Sequence, residues 1–129
     1  MLEPSEVIDL FFNHLKTTSV KAGEVIFREG EKGETMFALM EGEIALKVED
    51  KTLETIQKHD IFGEGALVQD NHLRYTSAIA LTDCQLAELN RERFMFLIQE
   101  TPLFALEVIR SLSSRTRNLK HRLKQYIHS

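Results

Sequence analysis

Apolar residues follow three rhythms along this chain. Behind Pro4-Ser5-Glu6, residues Val7, Leu10, Phe11 and Leu15 fall at helical spacing, which predicts a short amphipathic helix within residues 1–16. From Thr17 to Leu89 the pattern becomes short runs of Val, Ile, Phe and Thr, punctuated by Gly23, Gly30, Gly33, Gly42 and the Asp60–Gly65 stretch. The predicted strands are Ser19–Lys21, Val25–Phe27, Thr35–Met40, Glu43–Val48, Leu53–Ile56, Tyr75–Leu81 and Cys84–Leu89. Short strands with regular turn signals predict a closed or sandwich-like β architecture over residues 17–89. From Asn90 the helical rhythm returns. Asn90 is a good N-cap, although Arg93 stands where a capping box would have Glu or Gln. Arg91–Gln99 reads as one helix, and Thr101-Pro102 as the start of a longer one from about Leu103 to Tyr126.

The long helix has a pattern of its own. Ile109, Thr116 and Leu123 take one heptad position, and Ala105, Leu112, Leu119 and Tyr126 the other. At about 36 Å for its 24 residues, such a helix outruns a domain of this size. We expect a dimer seam through Ile109, Leu112, Thr116, Leu119 and Leu123; packing against the chain's own β domain is the alternative. The helix is also basic, with Arg110, Arg115, Arg117, Lys120, Arg122 and Lys124 against the single acid Glu107. Three readings stay open for these charges: a solvated outer face, a docking surface for an acidic partner, or support for an anionic ligand nearby.

Composition narrows the class. A chain of 129 residues with 43% hydrophobic and 28% charged content fits a single globular domain spanning residues 1–129. Net charge is −4, which does not favour nucleic acid as a partner of the whole chain. The lone Cys84, in an alternating segment, reads as a strand residue of a reducing compartment. The N-terminus has no basic region followed by an apolar core, and no apolar run approaches a membrane span. A cytoplasmic location away from membranes is expected.

Candidate chemistry concentrates in Phe62-Gly63-Glu64-Gly65-Ala66-Leu67 and in Arg74, ten residues after the glutamate. Gly63, Gly65 and Ala66 let a ligand approach the main chain closely. A turn of helix starting near Glu64 would aim free N–H groups at an anion, and Arg74 supplies a guanidinium able to fork onto phosphate oxygens. A carboxylate beside a phosphate needs donors instead, and ribose hydroxyls are suitable ones. An acid for the sugar and a base for the phosphate describe a nucleotide. The competing structural reading is a Glu64–Arg74 ion pair.

With its glycines in view, the sequence resembles the cyclic nucleotide-binding domains of the CRP/FNR regulator and kinase regulatory-subunit superfamily. The likeness lies in Ala22 to Gly33, Met36 to Leu39 and Glu41 to Ile44, in Phe62 to Ala78, which is similar to that family's phosphate-binding cassette, and in the closing helices from Asn90. It implies a mainly β fold, a β-roll or jelly-roll with a short N-terminal helix and two C-terminal helices (residues 90–129). It also implies that Glu64 contacts the ribose 2′-hydroxyl and Arg74 the cyclic phosphate, with Gly63, Gly65, Ala66, Tyr75 and Thr76 completing the ligand site. The implied ligand is cAMP or cGMP.

The pattern departs from the family at three places. Leu73 replaces the usual Pro, and Tyr75 the usual Ala, Ser or Thr; Tyr75 either obstructs the pocket or points outward. Leu119-Lys120 stands where CRP-type members carry a purine-reading Thr-Ser pair, which leaves the base open. No helix-turn-helix follows the long helix, so DNA binding by this chain is not expected. The histidines His14, His59, His72, His121 and His128 are scattered, without the pairing a metal site needs; His72 reads as a solvated loop residue. We therefore expect no catalytic residues and no metal, and a stand-alone sensor module that dimerises and signals to an unidentified downstream protein. A degenerate domain acting only in dimerisation or protein interaction is the alternative.

Overall fold

The computed structural model of the chain describes residues 3–11 and 17–128. Helix α1 spans Pro4–Phe11 and buries Val7 and Ile8; Leu15 and His14 lie outside the described residues. Eight strands follow: β1 (Thr17–Val20), β2 (Val25–Phe27), β3 (Thr35–Glu41), β4 (Ile44–Val48), β5 (Lys51–Ile56), β6 (Ile61–Phe62), β7 (Ser77–Ala80) and β8 (Cys84–Asn90). They form two antiparallel four-stranded sheets, ordered β1-β8-β3-β6 and β2-β7-β4-β5. Helix α2 (Gly65–Val68) interrupts the strands, and α3 (Arg91–Glu100) and α4 (Pro102–Ile127) close the chain. A β-roll with flanking helices is the fold expected.

The unbroken apolar run Met36–Leu39 shows how the layers arise. Successive strand residues point to opposite faces, and both faces of β3 are covered. Phe37 and Leu39 face the interior between the sheets, with Phe27, Ile44, Leu46, Phe62 and Leu86. Met36 and Ala38 face the helices, with Ile8, Ile61, Leu89, Leu97, Phe104 and Val108. Cys84 is buried in the inter-sheet layer. Gly42 turns the chain between β3 and β4 at φ +99°, where a Cβ would stand 2.6 Å from both the Asp83 carbonyl and the Cys84 sulfur.

Departures from the expected elements have local causes. β6 has two residues, too short for any alternation to register. The segment expected as a strand from Tyr75 begins at Ser77, because the backbone of Arg74 is drawn to another loop: its N–H donates to Glu31 O and its carbonyl accepts from Gly30 N, both at 2.8 Å. Asn90 caps α3 as expected, its Oδ1 accepting from Arg93 N at 2.9 Å. Thr101 makes no side-chain cap bond to α4; it also closes α3, its N–H donating to Leu97 O.

α4 has 26 residues and is about 39 Å long. Phe104 and Val108 are buried and Leu112 packs half-buried behind them, so this seam position is turned to the chain's own core. Leu119 is likewise half-buried, beside Leu53 and Glu54. Ile109 (62% exposed), Thr116 and Leu123 face outward. Among the described residues, no helix is long and apolar enough to cross a membrane.

Candidate functional site

The site begins where β6 ends. Gly63 takes φ +78° and turns the chain into the single helical turn α2, with Glu64 at its N-cap. The first intrahelical bond is Leu67 N to Glu64 O (2.9 Å), so the amides of residues 64–66 precede it and have no helical acceptor. Ala66 and Leu67 are buried and root the turn in the core. Its far end is clamped: Arg91 Nη1 donates to Leu67 O (2.6 Å), and His72 Nδ1 lies 2.8 Å from Ala66 O. His72 is exposed in its turn, the solvated loop residue expected, and its ring also braces the cassette.

Arg74 is 7% exposed. Its Nη1 donates to Gly63 O (2.7 Å) and its Nη2 to Thr35 O (2.8 Å), while Cζ sits 4.3 Å from the centre of the Phe27 ring. Phe27, Phe37 and Phe62 pack together beneath it. Burial pulls the guanidinium pKa down, and the acids Glu31, Glu64 and Glu88 oppose that pull. The guanidinium is therefore held by carbonyl groups and an aromatic face.

Glu64 has the opposite character. Its Oε2 is buried and has no hydrogen-bond partner. Burial raises the carboxyl pKa above 4.5; Arg115 lowers it, and the neighbouring acids Glu54 and Asp60 add to the rise. The hydrogen bonds of Arg74 run to carbonyls, so the ion-pair reading of Glu64 and Arg74 does not describe what holds the arginine.

Gly63, Glu64, Gly65, Ala66, Arg74, Tyr75 and Thr76 line one cavity of about 170 Å³, open to solvent. The structure thus brings together every residue expected to touch ligand. Tyr75 is 67% exposed, with Asn71 Nδ2 donating to its hydroxyl at 3.4 Å; it stands at the mouth and points outward. The Ser77 hydroxyl is taken by Glu29 N (2.9 Å).

Five further wall residues were not read as site residues: the apolar Phe27, Leu46 and Leu73, and the charged Glu54 and Arg115. Arg115 belongs to the basic face of α4, yet its side chain is only 14% exposed. Nε donates to Glu54 Oε1 (2.7 Å) and Nη1 to Ile61 O (2.7 Å), with Asp60 Oδ1 at 3.9 Å. Burial opposes its charge, but Glu54, Glu64 and Asp60 together outweigh burial and raise its pKa. Ser111 donates to Asp60 at 2.5 Å and Arg122 donates to Leu53 O, so three side chains tie α4 to the sheet edge near Glu64. The signal for Arg115 was available: it continues the stripe Phe104, Val108, Leu112 at helical spacing. Among the described residues, no three His, Cys, Asp or Glu side chains gather as metal ligands.

This geometry agrees with what the chain is similar to. Residues 17–101 match the model of the cyclic nucleotide-binding domain. The cyclic AMP receptor protein of Thermus thermophilus is 30% identical over 121 residues, covering 90% of this chain and 55% of that protein. A cGMP-dependent protein kinase of Eimeria tenella is 33% identical over 92 residues, 71% of this chain and 9% of the kinase. A solved structure from a cyclic-GMP-dependent signalling pathway that regulates bacterial phytopathogenesis is 29% identical with a TM-score of 0.73, covering 91% of this chain and 96% of that one. The chain spans about half the length of the receptor protein it matches, and a smaller share of the kinase. With the matched region covering most of the sequence, the chain belongs to the cyclic nucleotide-binding domain family.

Proposed function

We propose that this chain binds a cyclic nucleotide, cAMP or cGMP, as a non-enzymatic sensor module. The cyclic phosphate lies against Arg74 and the amides of residues 64–66, and the ribose lies against Glu64. One observation carries the reading: the buried, unpartnered Oε2 of Glu64 in the wall of an open cavity. Buried polar atoms are nearly always hydrogen-bonded, and an orphan calls for a missing partner. In a 3′,5′-cyclic nucleotide the 2′-hydroxyl is the ribose donor left free, and Glu64 offers it an acceptor.

The readout runs through α4. A hydroxyl donating to Glu64 favours its ionised form, and ionised Glu64 attracts Arg115 more strongly, tightening α4 against the sheet. A ligand that prefers one helix arrangement shifts the population toward it. Through the exposed Ile109, Thr116 and Leu123 the module forms a dimer, and a downstream protein reads the helix position.

Isothermal titration of the protein with cAMP and with cGMP tests binding. Saturable uptake of one per protomer is expected, and no heat or thermal shift from either at high micromolar concentration refutes it. A dimer that takes up neither nucleotide would establish the alternative, a module for dimerisation alone.

A further inference from the structure

We propose that Gly33, outside the cassette, is a positioning residue for the phosphate site: its missing side chain is the space in which the Arg74 guanidinium sits. A Cβ built on Gly33 would lie 2.3 Å from Arg74 Nε and 2.5 Å from both Cζ and Nη2. Real Cβ atoms essentially never come this close to another heavy atom, so either the loop or the guanidinium must shift. Backbone conformation does not demand glycine here, because Gly33 is not among the glycines with positive φ. Gly63 also crowds the guanidinium, at 2.8 Å from Nη1, but its φ of +78° would strain any substitute whatever the space. Gly33 is therefore the position where steric exclusion can be separated from backbone strain.

The guanidinium is held in that space by its neighbours. The Phe27 ring covers one face, and the carbonyls of Gly63 and Thr35 hold Nη1 and Nη2. The loop carrying Gly33 is stitched to the chain around Arg74 by Gly30 N to Arg74 O, Arg74 N to Glu31 O and Gly33 N to His72 O, each 2.8 Å. The loop cannot drift outward without losing these bonds, so a methyl group at residue 33 must expel the guanidinium instead. The β2–β3 loop thereby sets where the phosphate-binding charge stands.

A double-mutant cycle on the full chain tests this. Gly33→Ala should lower Tm by several degrees and weaken uptake of cAMP or cGMP more than tenfold, this second arm resting on the function proposed above. In an Arg74→Ala background, where no guanidinium is left to expel, Gly33→Ala should leave Tm nearly unchanged. An equal loss of Tm in both backgrounds would show that Gly33 serves the backbone and overturn the inference. If Gly33→Ala alone does not fold, recovery of folding in the double variant supports the inference, and failure to recover overturns it. The arginine Nε–Hε NMR signal of Arg74 gives an independent readout: it should move in Gly33→Ala, and an unmoved signal overturns the proposal. Wild-type protein that binds neither nucleotide would sink the proposed function but leave the stability cycle and the NMR readout to decide this point.

Discussion

The orphaned oxygen of Glu64 can be tested from the ligand's side, without touching the fold. The perturbation is removal of the 2′-hydroxyl from the nucleotide. Glu64 is already desolvated in the free protein, its Oε2 buried and unpartnered, so the hydroxyl gains a hydrogen bond to a charged group with no further desolvation of the carboxylate. Such a bond contributes about 1.5–3 kcal/mol, which is roughly 10- to 150-fold in Kd. The assay is titration calorimetry of the tighter of cAMP and cGMP against its 2′-deoxy form, well above the ordinary carboxylate range so that Glu64 is ionised. The deoxy ligand should bind weaker by that factor. In Glu64→Ala the two ligands should converge, because the acceptor is gone. Equal affinities for the wild-type protein would refute the assignment of Glu64 to the ribose. A large difference that persists in Glu64→Ala would place the hydroxyl's partner elsewhere.

Three more outcomes follow from the same geometry. Because burial raises the Glu64 pKa in the folded state, the unfolded chain ionises first as pH rises; Glu64 therefore makes the free protein less stable as pH climbs from the ordinary carboxylate range through the raised value, while nucleotide affinity rises over that window. Glu64→Gln should flatten both curves, read by denaturation and calorimetry across pH. Arg74→Ala should cost about 2 kcal/mol or more in nucleotide affinity and also lower the stability of the free protein, since the Gly63 and Thr35 carbonyls lose their donor. Arg115→Met should destabilise by about 2 kcal/mol in urea titration, by stranding Glu54 and the Ile61 carbonyl, and hydrogen exchange should show α4 losing protection in its second half.

What the sequence made legible was whatever a local pattern encodes. The alternating runs and glycine turns located seven of the eight strands, and Asn90 announced α3 through its cap. Glu64 and Arg74 stood out because opposite charges flanked small residues in a turn. Their different states were not legible. That Arg74 is held by two carbonyls and a phenyl face depends on Thr35, Phe27 and Gly33, distant in sequence and brought in by the β2–β3 loop, and Glu64 is meanwhile left with an unsatisfied oxygen. Arg115 was hidden by its company: five basic neighbours on the helix made a solvated face the simplest reading, and it is the folded sheet that puts Glu54 and Asp60 within its reach.

The long helix explains why its two sequence readings competed. Its apolar residues serve two surfaces. Phe104, Val108 and Leu112 form the stripe that packs on the chain's own core, and Arg115 and Leu119 continue that stripe onto the sheet edge at Glu54. Ile109, Thr116 and Leu123 repeat at heptad spacing on the outward side. A heptad count cannot separate two stripes that lie one residue apart over four turns, as Val108 and Ile109 do, because the period is nearly the same for both. Burial separates them. The inward stripe reaches the cavity through Arg115, and the outward stripe is what a second molecule can reach. A displacement of this one helix therefore changes both surfaces together, which is the mechanical requirement for a ligand beside Glu64 to be read at a distance.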